Sequence, residues 1–145
     1  ASTGVGQPPK PVLVDFGLAG RHLRPGCGTA NYGAPEIWRA GEASNAIPAD
    51  VYAFGCLIFE AYTGKTLFDG NGEAAMITQH TTHDGDPEPV RALLGRRETQ
   101  DLGALIAHCL RRNPRDRITI RQACQFLGNL TLGVENQHWP VRIAS

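Results

Sequence analysis

Cysteine is sparse in this chain, with four in 145 residues, Cys27, Cys56, Cys109 and Cys124, and no two of them form a CxxC pair. That spacing speaks against a cysteine-based zinc site and a dense disulfide framework, and it suits a reducing compartment such as the cytoplasm. Net charge is missing as well: fourteen basic residues balance fourteen acidic ones, for a formal net charge of +0. No one-signed field therefore points to nucleic acid, an anionic membrane or a polyacidic partner. There is also no long apolar run. The nearest approach, around residues 51–62, is interrupted by Gly55 and Glu60 and is too short to cross a bilayer. Nothing in the first residues resembles a signal peptide, and no internal repeat or low-complexity tract is present. The first residue, Ala1, hints at a chain cut from a longer one. The length suffices for one domain, or part of one, with a real core.

What is present is mostly helical. Residues 1–11 are rich in Gly and Pro and read as a loop, and residues 11–14 (Pro-Val-Leu-Val) as a short strand with buried or partly buried side chains. Asp15 to Gly33 holds five glycines and no sustained period, which predicts an ordered but irregular segment of the kind that carries function. Val51, Phe54, Gly55, Ile58 and Tyr62 recur at helical spacing on a stretch apolar nearly all round, so a central, buried helix ending at Gly64 is expected. A weaker helix over residues 73–80 precedes a loop at 84–89. Leu102, Leu105, Ile106, Cys109 and Leu110 form one amphipathic stripe that Asn113-Pro114 ends. Thr119 and Gln122 have capping-box spacing ahead of Ile120, Ala123, Cys124 and Leu127.

The first chemical signal is Asp15-Phe16-Gly17 at the end of the expected strand. A carboxylate held there by a glycine turn can reach a divalent metal that bridges nucleotide phosphates. By itself the tripeptide is weak, because an Asx turn closing a strand explains it equally well. Three further blocks follow in order: Gly28-Thr29-Ala30-Asn31-Tyr32-Gly33-Ala34-Pro35-Glu36, then Asp50-Val51-Tyr52-Ala53-Phe54-Gly55, then Arg112-Asn113-Pro114-Arg115-Asp116-Arg117-Ile118-Thr119. In this order and spacing they resemble the eukaryotic-type protein kinase family, whose Asp-Phe-Gly and Ala-Pro-Glu motifs bracket the activation segment. The resemblance runs from about Pro11 to Leu127.

The resemblance implies a mainly α fold, the C-terminal lobe of a protein kinase, with a short strand and an irregular activation segment at its N-terminus. Residues 1–145 would form a partial kinase domain, with residues 11–36 as metal-binding strand end and activation segment and residues 37–145 as the helical lobe. Asp15 resembles the magnesium-binding aspartate, Phe16 the ring whose packing reports active or inactive states, and Gly17 the hinge. Val14 would lie near the floor of the nucleotide pocket. Glu36 and Arg117 resemble a buried ion pair with a structural role. Asp50 resembles the aspartate heading the central helix that accepts backbone hydrogen bonds from the catalytic loop; a plain helix N-terminal carboxylate is the simpler alternative. Thr29 stands where Ser/Thr-directed members place a hydroxyl that helps arrange the active site. Residues 29–33 would form the floor for the substrate residue after the acceptor.

The departures from the family pattern matter equally. No Gly-rich phosphate cover, no Val-Ala-Ile-Lys lysine and no His-Arg-Asp catalytic loop precede Asp15, and the loop's metal-binding asparagine would fall near Ser2. The catalytic base is thus absent from this chain, the N-lobe and catalytic loop are missing partners, and the isolated chain is expected to be inactive. From Leu18 to Gly28 there is no Ser, Thr or Tyr, which implies no dependence on a phosphate in that stretch. Cys27 reads as a bland thiol. His80 and His83, near Asp84 and Asp86, read as a polar helix end rather than a metal site. The expected function is that of a Ser/Thr protein kinase, a transferase using ATP and Mg2+ on a protein substrate. The alternative is a pseudokinase or a kinase-derived interaction module, which would bind a partner without catalysis.

Overall fold

The computed structural model describes residues 12, 22–23, 30–39 and 44–134. These residues are mainly helical, with one two-stranded antiparallel pairing of β1 (His22–Leu23) with β2 (Ser44–Asn45). A short strand therefore lies inside the stretch expected to be irregular. Val12 is outside any strand and 74% exposed, which corrects its expected burial; Pro11, Leu13 and Val14 lie outside the described residues.

The organising element is α1 (Ala46–Thr63). Its start lies before Asp50: the Asn45 side chain accepts the Ile47 backbone N–H at 3.2 Å, satisfying one of the orphan donors of the first turn. Pro48 is tolerated there because a first-turn N–H has no helical partner to lose. The helix stops at Gly64, which adopts φ 71° and donates its N–H to the Glu60 carbonyl at 2.8 Å. Val51, Tyr52, Cys56, Phe59 and Tyr62 point into the core. Leu57, however, is 54% exposed, so the apolar girdle is not covered all round by the described residues.

Helix α4 (Gln100–Cys109) packs across α1 and buries Leu102, Leu105, Ile106 and Cys109, the stripe expected from the sequence. Gly55 is where the two helices meet most closely, since a Cβ built there would sit 2.7 Å from the Cys109 Cβ. Neither backbone has room to retreat without disturbing the core, so Gly55→Ala should destabilise by about 1–3 kcal/mol through overpacking. A urea midpoint unchanged by that substitution would show slack at the crossing.

Two helices differ from expectation. Residues 88–94 form α3 (Glu88–Leu94), although residues 84–89 read as a loop; Pro87 caps it and Pro89 sits in its first turn, where missing donors cost nothing. Helix α3 buries Val90 and Leu93 against α4. Helix α5 (Ile120–Val134) starts with the expected capping box: Gln122 Oε1 accepts from the Thr119 N–H at 3.0 Å, while Thr119 Oγ1 accepts from the Gln122 N–H at 3.3 Å. Its inward face is Ala123, Phe126, Leu127 and Leu130, whereas Ile120 and Cys124 are exposed. The inward set follows i, i+3, i+4, i+7, the face that α4 and α1 leave open. Helix α2 (Glu73–Thr81) packs on the 3-10 turn Pro35–Trp38 and so reaches the site described next. No helix among the described residues is long and apolar enough to cross a membrane.

Candidate functional site

The 3-10 turn Pro35–Trp38 holds Glu36 against the helical body because its neighbours are themselves buried: Ala34, Pro35 and Ile37 face the core. Before the turn, Gly33 is required by close approach, since a Cβ there would lie 2.3 Å from the Trp38 ring. Trp38 closes the loop back on itself by donating its indole N–H to the Gly33 carbonyl at 3.2 Å. One residue earlier, the Tyr32 hydroxyl donates to Glu60 Oε2 at 2.6 Å, tying residues 30–33 to the middle of α1. That bond to Glu60, followed by burial, raises the Tyr32 pKa.

Arg117 meets Glu36 from the other end of the sequence. Its Nη1 and Nη2 donate to the two Glu36 oxygens, each at 2.6 Å, forming a bidentate pair. The remaining donors go to main-chain carbonyls: Nε to Arg111 at 2.7 Å, Nη1 to Pro48 at 2.9 Å and Nη2 to Arg112 at 3.3 Å. All five guanidinium N–H groups are therefore used, in a side chain only 1% exposed. The Arg117 carbon also lies 5.0 Å from the centre of the Tyr52 ring, adding a cation–π contact. One side chain thus links the turn after residue 34, the first turn of α1 and the segment between α4 and α5.

Beneath this junction lies a polar cluster in the core. The Tyr52 hydroxyl is 2.8 Å from His80 Nδ1 and 3.1 Å from His83 Nε2. Phe68 packs edge-on to His80, with centroids 4.7 Å apart. Burial, reinforced by the His83 charge, lowers the His80 pKa to about 4; burial also lowers His83 to about 4, with Arg112 acting in the same direction and Asp86 and Asp84 against it. Burial raises the Tyr52 hydroxyl pKa far above its ordinary value. The reading of His80 as a polar helix end is corrected: it is 0% exposed. The packing of α2 on the turn at residues 35–38 forces it inward. Asp84 is engaged elsewhere, by the Arg111 guanidinium at 2.9 Å and the Arg112 N–H at 2.9 Å. Among the described residues there is no group of three or more His, Cys, Asp or Glu side chains that could hold a metal.

The structure therefore brings Glu36 and Arg117 together. Asp50 sits one turn inside α1 rather than at its head and is exposed, and loss of part of its hydration raises its carboxyl pKa. Val14, Asp15, Phe16, Gly17 and Thr29 lie outside the described residues, as does Cys27. Sequence reasoning missed Tyr52, Tyr32 and Glu60 as members of the junction. Tyr52 stands 28 residues from His80 and 31 from His83, so no local period announces their contact.

Comparison with known proteins accords with this arrangement. The family described as the protein kinase domain matches residues 7–126. Serine/threonine-protein kinase PLK4 of Aedes aegypti is 35% identical over 119 residues, which cover 78% of this chain and 14% of that protein. Serine/threonine-protein kinase PkaA of Streptomyces coelicolor is 34% identical over 131 residues, 86% of this chain and 22% of that protein. Serine/threonine-protein kinase PknB of Mycobacterium tuberculosis is 32% identical over 114 residues, 72% of this chain and 17% of that protein. The chain thus spans less than a quarter of the length of each of these relatives. With a matching family over most of its length and a helical body that clamps the end of its Ala-Pro-Glu segment, the chain belongs to the eukaryotic-type Ser/Thr protein kinase family.

Proposed function

We propose that the protein carrying this chain transfers the γ-phosphoryl group of ATP to Ser or Thr hydroxyls of a protein substrate in the cytoplasm, with Mg2+ as cofactor. In this reading residues 1–145 are part of the kinase domain, residues 11–36 forming the metal-binding strand end and activation segment and residues 37–145 the helical lobe. The observation that carries the reading is the bidentate Glu36–Arg117 pair, because it fastens one end of the segment that begins at Asp15 to a rigid helical body. A segment fixed at that end can hold a peptide in register with a phosphate donor, and positioning is most of what phosphoryl transfer asks of a protein.

The donor set suits the cofactor, since Asp15 offers hard carboxylate oxygen, the ligand type magnesium prefers. Magnesium, when bound, would offset the negative charge of the phosphates. Asp15 orients that charge, Val14, Phe16 and Gly17 border the nucleotide, and the Thr29 hydroxyl helps arrange the acceptor side. These 145 residues hold no His-Arg-Asp stretch to receive the acceptor proton, so in this reading the chain by itself does not transfer phosphate. Free buried thiols at Cys56 and Cys109 accord with a reducing compartment.

The test is transfer of label from γ-labelled ATP to a Ser/Thr peptide by the full-length protein, wild type against Asp15→Asn. Transfer should be magnesium-dependent and fall to background in the variant. Nucleotide binding by the wild type with no transfer to any acceptor would instead mark an interaction module.

A further inference from the structure

Three Asn-Gly or Asp-Gly pairs occur in the chain, Asp69-Gly70, Asn71-Gly72 and Asp84-Gly85, and the structure sets them apart. In such a pair the glycine amide nitrogen can attack the side-chain carbonyl carbon of the residue before it, because glycine has no Cβ to hinder the approach. An amide is a far better electrophile here than a carboxylate. Chemistry alone therefore ranks Asn71 first.

Geometry ranks it the same way. Asn71 and Gly72 are both exposed. Among the described residues no hydrogen bond holds the Asn71 side chain. Gly72 stands at φ 106° and ψ 164°, backbone that L side chains rarely adopt, with nothing within 4 Å of a Cβ built there. The one bond in the way runs from the Gly72 N–H to the Gly70 carbonyl at 2.9 Å. It closes a three-residue turn, too tight for the N–H to point straight at the oxygen, and water can replace it at this exposed position. Asp84-Gly85 is the opposite case. Its carboxylate is engaged by the Arg111 guanidinium and the Arg112 N–H, each at 2.9 Å. Gly85 is buried, its N–H donates to His83 Nδ1 at 3.0 Å, and a Cβ there would sit 2.5 Å from the Ala107 carbonyl oxygen. Neither residue can turn toward the other without breaking these contacts. Asp69-Gly70 falls between them: Asp69 is exposed, but Gly70 is half-buried against Met76, whose Cγ would lie 3.2 Å from a Cβ there.

We infer that Asn71-Gly72 is a site of spontaneous deamidation at the start of α2. The Gly72 nitrogen gives up its proton and bonds to Asn71 Cγ, the Cγ–Nδ2 bond breaks, and ammonia leaves with that proton. Water then opens the cyclic imide at either carbonyl, giving aspartate or isoaspartate, so solvent is the only co-reactant. The isoaspartate form adds one carbon to the main chain directly before Gly72, whose carbonyl accepts the Met76 N–H at 3.2 Å. Modification therefore loosens the first turn of the helix that packs on the turn Pro35–Trp38.

Ageing of the full-length protein at mildly alkaline pH, folded or in guanidinium chloride, tests this. Trypsin places all three pairs in one peptide, Thr66–Arg91, and fragmentation that distinguishes isoaspartate from aspartate reads each position. In the folded protein Asn71 should convert within about threefold of its unfolded rate, whereas Asp84 should isomerise at least about tenfold more slowly than when unfolded, because its bonds must break first. Asn71→Gln, whose longer side chain would have to close a larger ring, should abolish conversion at that position. Hydrogen exchange at the Met76 amide should be faster in the isoaspartyl fraction than in fresh protein. An Asn71 that converts when unfolded yet stays intact in the folded protein would overturn the inference. So would Asp84 isomerising as fast folded as unfolded, conversion that persists in Asn71→Gln, or Met76 exchange unmoved by isoaspartate.

Discussion

Arg117→Met is expected to destabilise the protein by about 3–5 kcal/mol, the cost of stranding a buried charge whose partner has been removed. The stranded group is the Glu36 carboxylate, only 12% exposed and accepting both of its bonds to a guanidinium from this one side chain. Three main-chain carbonyls, of Pro48, Arg111 and Arg112, lose their donor in the same substitution. Arg117→Lys should rescue little, because an ammonium carries three donors in place of the five in use and cannot form the planar fork. Urea unfolding checks both variants, and a loss below about 1 kcal/mol in Arg117→Met would show that the pair behaves like an exposed one. Transfer activity should fall in parallel, through misplacement of the segment rather than loss of a reacting group.

Acid should unfold the protein earlier than its carboxylates alone would dictate. The folded state holds His80 and His83 near a pKa of about 4, against an ordinary value of 6.5. Between those values the unfolded chain binds more protons, so stability rises with pH across the window. The contribution is complete above about pH 6.5 and is lost as pH falls towards about 4. Depression on that scale corresponds to about 3 kcal/mol for His80 and less for His83, whose ring is partly open to solvent. The two rings share the Tyr52 hydroxyl, so they titrate as a coupled pair. Urea midpoints measured from pH 8 to pH 4, with imidazole resonances followed by NMR, test this. Rings that titrate near pH 6.5 in the folded protein would refute it.

Features governed by near neighbours along the chain are legible in the residues themselves. The end of α1 at Gly64 follows from glycine's access to positive φ, and the start of α5 from two side chains three residues apart. The α4 stripe is readable because its period matches the helix. Where local signals mislead, the cause is identifiable. Pro87 and Pro89 suggest a loop, yet proline is compatible with the first turn of α3. Ile120 and Cys124 suit an apolar face, but α5 turns a different set toward α4.

By itself the sequence determined the helical character, the glycine stop of α1, the capping box of α5 and the four ordered motifs that mark the family, because each depends on residues a few positions apart. Only the tertiary structure decided how Arg117 uses all five donors across 81 residues to Glu36, and how Tyr52 comes to lie between two histidines. Such contacts depend on how helices pack, and a hydrogen bond between residues far apart in the chain has no signature until the packing has brought them together.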